Sequence, residues 1–360
     1  MSGATRAAGG TGPRVRAAIL RWYLANRRDL PWRRSRDPYA IWVSEIMLQQ
    51  TRVETVRPYY ERFLDRFPTV ESLARSRESA VLAAWSGLGY YRRARNLRAA
   101  ASLVVREHGG RLPADVDALR SLPGVGEYTA AAIASVAFDQ GTAAIDGNVI
   151  RVIARIEGLR GARDDAALKR AVAERAAPLA RGPRPGDWTQ ALMELGALVC
   201  LPRDPRCEIC PAASACAARA SGIAGRIPGA ARVKAPRTGR RVLLVARSRG
   251  RVLLVPDGAD KGAAWTLPEA PVAARGGAGR AARATARRHG LPADAVRGPL
   301  AEFRHRTFSH DLIFEIWEAD GTGPTRTSSV RAAHRWLLQR ALEKLPLRAP
   351  TLKALKRLKQ

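Results

Sequence analysis

The stretch that decides the fold runs from Leu122 to Asn148 and reads LPGVGEYTAAAIASVAFDQGTAAIDGN. Its first five residues, Leu122-Pro123-Gly124-Val125-Gly126, make a tight turn between two runs of helical character. Gly124 and Gly126 lack a Cβ, so the backbone can turn sharply there and present bare amide N–H groups. A helix starting near Glu127 adds the positive end of its dipole. Together these form a phosphate-holding device whose spacing suits a nucleic-acid backbone better than a nucleotide. Twenty residues on from Gly126, Asp146 stands just before a new helical run, Asn148 to Glu157. An aspartate in that place is set to cap the helix and stay ionised. The stretch therefore joins a phosphate clamp to a carboxylate, as an active site on a polyanion would require.

Composition agrees with that partner. The chain has 360 residues, enough for two or three domains with cores of their own. Lys and Arg number 62 against 32 Asp and Glu, a formal net charge of +30. Both halves of the chain are basic, so a polyanion is the natural partner, although an Arg-rich, Ala-rich composition inflates part of the excess. No apolar run approaches a membrane span. Residues 1–13 are small, polar and basic without an apolar centre, so they read as a disordered start and not as a secretory signal. The expected location is cytoplasmic, associated with the nucleoid.

The four cysteines all fall between Cys200 and Cys216, spaced as Cys200-x6-Cys207-x2-Cys210-x5-Cys216. A disulfide framework is normally scattered along a secreted chain, whereas clustered cysteines without a secretion signal favour metal. Zinc more often shows two separated pairs, while a compact four-thiolate loop suits a 4Fe–4S cluster. On spacing alone the cluster leads, with zinc and free thiols still open.

In chain order, residues 13–110 read as amphipathic helices, beginning with the stripe Val15, Ile19, Trp22 and Tyr23. Asp37-Pro38 is a helix start, with Pro38 at the first position. The helix that follows carries Ile41, Trp42, Val43, Ile46, Met47 and Leu48, with Glu45 as its only acid. That carboxyl is either on the solvated face or desolvated, and desolvation would raise its pKa into general-acid range. Further helices fit 52–66, 71–86, 90–108, 115–121, 127–138, 148–159, 164–181 and 185–199. Gly87-Leu88-Gly89-Tyr90 is a glycine turn whose Leu88 and Tyr90 serve either as core or as wedges between stacked bases. Ala217–Pro236 has the composition of a linker. Beyond it, 241–246 and 251–256 form a hairpin about Ser248-Arg249-Gly250, with a helix near 279–289 and strands near 299–305 and 311–318.

The order LPWR, WVSEIMLQQT, GLGYY, LPGVGEYTAAAI, IDGNVIRV and the cysteine loop resembles the MutY-type adenine DNA glycosylases of the helix-hairpin-helix superfamily. The likeness is dense over about 14–216 and looser over 237–345. It implies a multi-domain chain. Residues 14–199 would be an all-α helix-hairpin-helix catalytic region and 200–216 an iron-sulfur loop. After a linker at 217–236, residues 237–348 would form an α+β, Nudix-like (MutT-like) domain, followed by a basic tail at 349–360. It also implies a 4Fe–4S cluster on Cys200, Cys207, Cys210 and Cys216. The implied substrate is double-stranded DNA in which adenine is mispaired with 8-oxoguanine or guanine, acted on by a monomer with no membrane partner.

The resemblance carries roles onto particular residues. Glu45 would protonate the flipped adenine at N7, and Asp146 would stabilise the oxocarbenium ion left behind. Asn148 and Tyr128 match residues that position Asp146 and the water. Related glycosylase-lyases have lysine where this chain has Tyr128; a tyrosine cannot form a Schiff base, so the expected enzyme is monofunctional. Gln50, Thr51, Leu88 and Tyr90 match residues that probe the lesion, and Arg28, Trp32, Arg33 and Gln190 match the adenine pocket. Phe308, Ser309 and His310 resemble a loop that reads 8-oxoguanine. Where Nudix hydrolases carry a glutamate-rich helix, residues 276–291 hold no acid to bind magnesium. The rival readings are an endonuclease III-like enzyme, a G·T mismatch glycosylase and a non-enzymatic DNA-binding protein.

Overall fold

The computed structural model describes residues 12–230, 236–257, 264–273, 277–307, 309–321, 335–338, 341–342 and 345–358. Its first part is helical throughout. The helices are α1 (Pro13–Asn26), α2 (Pro38–Leu48), α3 (Val53–Arg66), α4 (Val70–Arg75), α5 (Glu78–Ala84), α6 (Arg92–His108), α7 (Val116–Ser121), α8 (Glu127–Phe138), α9 (Gly147–Glu157), α10 (Ala166–Ala180), α11 (Pro185–Leu198) and α12 (Ala217–Ala220). The single helix expected at 71–86 is two, α4 and α5. Between them the Ser76 carbonyl accepts from Arg98 Nε at 2.7 Å, and Arg77 is extended at ψ 139°. An extended residue cannot continue a helix, and Arg77 stands instead at the N-cap of α5.

Two compact units emerge: residues 1–75 with 99–233, and residues 76–98 with 234–360. The expected boundaries ran contiguously along the chain, whereas the second unit takes in an internal segment. Hydrogen bonds explain the grouping. Ser86 Oγ donates to the Leu345 carbonyl at 3.1 Å, and Tyr91 Oη donates to the Leu347 carbonyl at 2.7 Å.

In the first unit, Ile19 and Tyr23 of the α1 stripe are fully buried against Val149, Ile153, Val172, Trp188 and Leu192 of α9, α10 and α11. The caps act as the sequence requires. Asp37 accepts from the amides of Tyr39 and Ala40, and Asp146 accepts from that of Val149. Ala217–Pro236 does not behave as a linker over its described part. Ile227 is buried, and Gly229 exchanges backbone hydrogen bonds with Gly161 and Arg163.

The second unit holds a mixed sheet of β1 (Arg237–Ser248), β2 (Arg251–Pro256), β3 (Trp265–Thr266), β4 (Glu269–Pro271), β5 (Val296–Arg306), β6 (His310–Asp320) and β7 (Arg335–Leu338). Its order is β3-β2-β1-β6-β5, with β4 on β1 and β7 on β2. The expected hairpin is present, with Arg249 and Gly250 both at positive φ and Ser248 opposite Arg251. Residues along β1 alternate between the two faces. Val242, Leu244 and Ala246 pack with Ala282 and Ala286 of α13 (Ala278–Arg288), while Leu243 and Val245 pack with Phe314, Ile316 and Ala354. Ala354 belongs to α14 (Ala349–Arg357), so the segment expected as a basic tail is a helix seated on the sheet. Apolar residues on both faces explain why the β1 and β2 segments read as unbroken hydrophobic runs.

Candidate active site

Helix α2 is buried on nearly every side, with Tyr39 to Ser44, Ile46 and Met47 all withdrawn from solvent. Glu45 is the one acid in this run, and it meets solvent only partially, at the wall of a cavity of about 260 Å³. Tyr128, in the first turn of α8, donates its hydroxyl to Glu45 Oε2 at 3.1 Å. Burial pushes the Glu45 carboxyl up to about 7, and the negative charge of Asp146 adds to the rise. The Tyr128 hydrogen bond and the Arg33 charge oppose it. The same burial, with the charges of Glu45 and Asp146, holds the Tyr128 hydroxyl well above its ordinary range, so the phenol stays neutral.

Asp146 lines the same cavity, at the N-terminus of α9. Its Oδ1 accepts from Val149 N at 2.7 Å and its Oδ2 from Asn148 Nδ2 at 3.0 Å. Burial moves this carboxyl upward as well, but the donors from Val149 and Asn148 and the charge of Arg151 oppose the shift. Thus one acid is desolvated with a single donor, and the other is desolvated yet held by several. Arg151 continues the chain, giving Nη2 to Asn148 Oδ1 at 2.9 Å and Nε to the Cys200 carbonyl at 2.8 Å.

Trp32, Arg28, Arg33, Thr51 and Gln190 also line the cavity. Arg28 and Arg33 do so through a residue the sequence reading missed. Glu194 is fully buried in α11, where both guanidiniums grip its carboxylate in forks of 2.7–2.9 Å. Burial pushes Glu194 upward, but the Arg28 and Arg33 hydrogen bonds outweigh it and hold the carboxyl at about 2. The available signal was its place four residues after Gln190, on the same helix face. Gln49 was missed too: its Nε2 donates to Thr129 Oγ1 at 3.2 Å, tying the end of α2 to α8.

Gln50, Gly124 and Gly126 lie outside the cavity lining. Gln50 is exposed in the left-handed region at φ 57°. Gly124 sits at φ 81° in the turn closed by Val125 N to Leu122 O at 3.1 Å, a conformation that requires glycine. Gly126 has ordinary extended angles, and a Cβ there would meet nothing within 4 Å. Its missing side chain leaves the α8 amides open to an external group. Leu88 and Tyr90 belong to the second unit, where Leu88 is buried and Tyr90 is 48% exposed. Also there, Ser309 Oγ lies 2.8 Å from His310 Nδ1, and His310 lines a cavity of about 630 Å³ with Arg241, His305 and Arg348. Phe308 lies outside the described residues.

Cys200, Cys207, Cys210 and Cys216 line one small pocket walled by Val152, Ile156, Leu195 and Val199. Among the described residues no three His, Cys, Asp or Glu side chains converge on a single metal ion. Four thiols on one pocket are the donor set that a thiolate-bound metal centre requires. Burial pushes Cys210 up to about 11 and Cys216 upward, so these thiols give up their protons only against a cation. No described helix is long and apolar enough to cross a membrane.

Comparison with known proteins adds an independent line. Residues 43–178 match the family profile of the HhH-GPD superfamily base excision DNA repair proteins. The adenine DNA glycosylase of Rattus norvegicus is 46% identical over 221 residues, covering 59% of this chain and 43% of the rat protein. That of Homo sapiens is 46% identical over 213 residues, covering 57% and 39%. The chain therefore spans about two fifths of the length of these curated relatives. A thermostable thymine-DNA glycosylase structure superposes with a TM-score of 0.52 at 32% identity, covering 57% of this chain and 95% of that one.

Proposed function

Because the chain belongs to the HhH-GPD superfamily of base excision DNA repair proteins, with a helical region of the MutY type, we propose that it is a monofunctional adenine DNA glycosylase. Its substrate would be adenine mispaired with 8-oxoguanine or guanine in double-stranded DNA. One observation carries this reading: Glu45 and Asp146 face a single cavity, each with its own supporting donor, Tyr128 and Asn148.

The chemistry follows from their different surroundings. Adenine leaves poorly as an anion, so N7 must be protonated as the bond to C1′ breaks. A carboxyl held near 7 is about half protonated at neutral pH and is matched to that transfer. The bonding electrons leave with adenine, and the sugar becomes an oxocarbenium ion. Asp146, supported by the Val149 and Asn148 donors, supplies the opposing charge until water adds to C1′. Tyr128 has no amine for a Schiff base, so an intact abasic strand is the product. The Glu194 forks fix Arg28 and Arg33 at the cavity wall, where they shape the pocket for the flipped base.

Other parts take supporting roles. The Leu122–Gly126 turn and the first amides of α8 hold a backbone phosphate. The four cysteines would hold a 4Fe–4S cluster, which when bound orders the loop that contains them. The second unit, a Nudix-like domain without the acids of a hydrolase, would read the 8-oxoguanine through Phe308, Ser309 and His310. The likeness to a thymine-DNA glycosylase keeps a T·G activity as the second reading, but identity to the adenine enzymes is higher, 46% against 32%.

Duplexes bearing A·8-oxoguanine, A·G, T·G and thymine glycol, assayed for base release with and without alkali, separate these possibilities. Adenine release with strand breakage only after alkali is the expected result. Release of thymine instead, or breakage without alkali, would overturn the proposal.

A further inference from the structure

Arg155 lies in the last turn of α9 and is 2% exposed. A cation so placed should be paired, because an isolated buried charge is strongly disfavoured. Its guanidinium donates to the carbonyls of Ile227 at 2.8 Å, Leu201 at 2.6 Å and Pro202 at 2.9 Å, and to Cys200 Sγ at 3.4 Å. None of these acceptors is a carboxylate, and among the described residues none lies within ion-pairing distance of it. Capping of its own helix does not account for the placement, since the guanidinium reaches carbonyls beyond α9. Its backbone carbonyl faces a second cysteine, 3.3 Å from Cys216 Sγ. Arg155 thus has hydrogen bonds but lacks a counter-charge, and the nearest group able to supply one is the four-cysteine pocket it lines.

We propose that Arg155 is the counter-charge of that pocket: a positioning residue that promotes assembly of the thiolate-bound cluster and raises the potential at which it takes up an electron. This rests on the cluster assignment made above. Four thiolates around a 4Fe–4S core are anionic overall, so a buried guanidinium stabilises that charge and the more negative, reduced state. Hydrogen bonds to cluster sulfurs and local charge are established levers on such potentials. Its fork also pins Cys200 to the Leu201-Pro202 and Ile227 backbone, holding the loop ready for loading.

The 360-residue chain tests this with Arg155→Met, Arg155→Lys and, as control, Arg219→Gln at the exposed rim of the same pocket. Iron and sulfide per chain, iron loss to a chelator and the midpoint potential in a mediator titration are measured for each. Arg155→Met should lose iron at least about tenfold faster, and its loaded fraction should have a more negative midpoint potential. Arg155→Lys, which keeps the charge without the fork, should shift both in the same direction by less, and Arg219→Gln should leave both near wild type. If Arg155→Met does not load, Arg155→Lys decides. Wild-type potential and retention in the decisive variant, or an equal shift in Arg219→Gln, would overturn the proposal. Wild-type protein that contains zinc or no iron would instead overturn the cluster assignment itself.

Discussion

At the scale of single residues, the proposed mechanism asks Glu45 to be an acid in a place that disfavours its charge. Its carboxyl stands at about 7 in the folded protein against 4.5 in the absence of the fold, chiefly through burial. A raised carboxyl favours folding when protonated. That contribution is fully present below pH 4.5 and is lost as pH rises towards 7, where ionising Glu45 costs about 3 kcal/mol. Glu45→Gln keeps the shape, can still accept from Tyr128, and never ionises. It should therefore be more stable than wild type at pH 8 and equal to it at pH 4.5, as read from denaturant midpoints. Adenine release should fall by at least about 100-fold, and the wild-type rate should decline as pH passes upward through 7. Equal stability at both pH values would show that Glu45 is solvated, and normal release would end its role as acid.

At the scale of elements, the turn before α8 separates two reasons for having glycine. Gly124 at φ 81° is needed by the backbone, and alanine there should destabilise the fold by about 1–2 kcal/mol. Gly126 has no such need, and a Cβ there meets open space. Gly126→Ala should cost less than about 1 kcal/mol as a poorer cap, yet weaken duplex binding about tenfold by standing between the α8 amides and a phosphate. Fluorescence anisotropy with an undamaged duplex checks this; unchanged affinity would mean that no phosphate approaches that closely. Much of this level was legible in the sequence. Asp37, Asp146 and the 249–250 turn announce themselves because caps and primed turns depend on local chemistry. The start of β1 at Arg237 did not, because residues 237–240 are polar and exposed and gain their strand character from pairing with β6 across seventy residues of chain. Glu194 escaped for the same reason. Its sequence neighbours resemble those of any helical acid, and its partners Arg28 and Arg33 lie more than 160 residues away.

At the scale of the molecule, the sequence divides at its change of composition near residue 217, whereas the second compact unit also takes in residues 76–98. That difference was not legible, because the segment is helical in pattern and its partners are backbone carbonyls near the far end of the chain. It has a consequence for the Gly87–Tyr90 turn, the expected wedge. Trp85 Nε1 donates to the Gly89 carbonyl at 3.1 Å, and the Arg93 guanidinium lies 5.3 Å from the Tyr90 ring. Tyr91, immediately after the turn, is anchored by its hydroxyl on Leu347. The turn is therefore held both by its own neighbours and by the C-terminal part of its unit. Removing the Tyr91 hydroxyl leaves the buried Leu347 carbonyl without that donor, a loss of about 1–3 kcal/mol. In Tyr91→Phe the amides of 86–91 should exchange with solvent severalfold faster, while those of α9 keep their wild-type rates. Loosening of the turn should then lower adenine release from mispairs more than it lowers affinity for undamaged duplex, since a wedge acts only once the base is displaced. Exchange at 86–91 equal to wild type would show that α5 and α6 order the turn unaided, and that the C-terminal segment does not contribute to it.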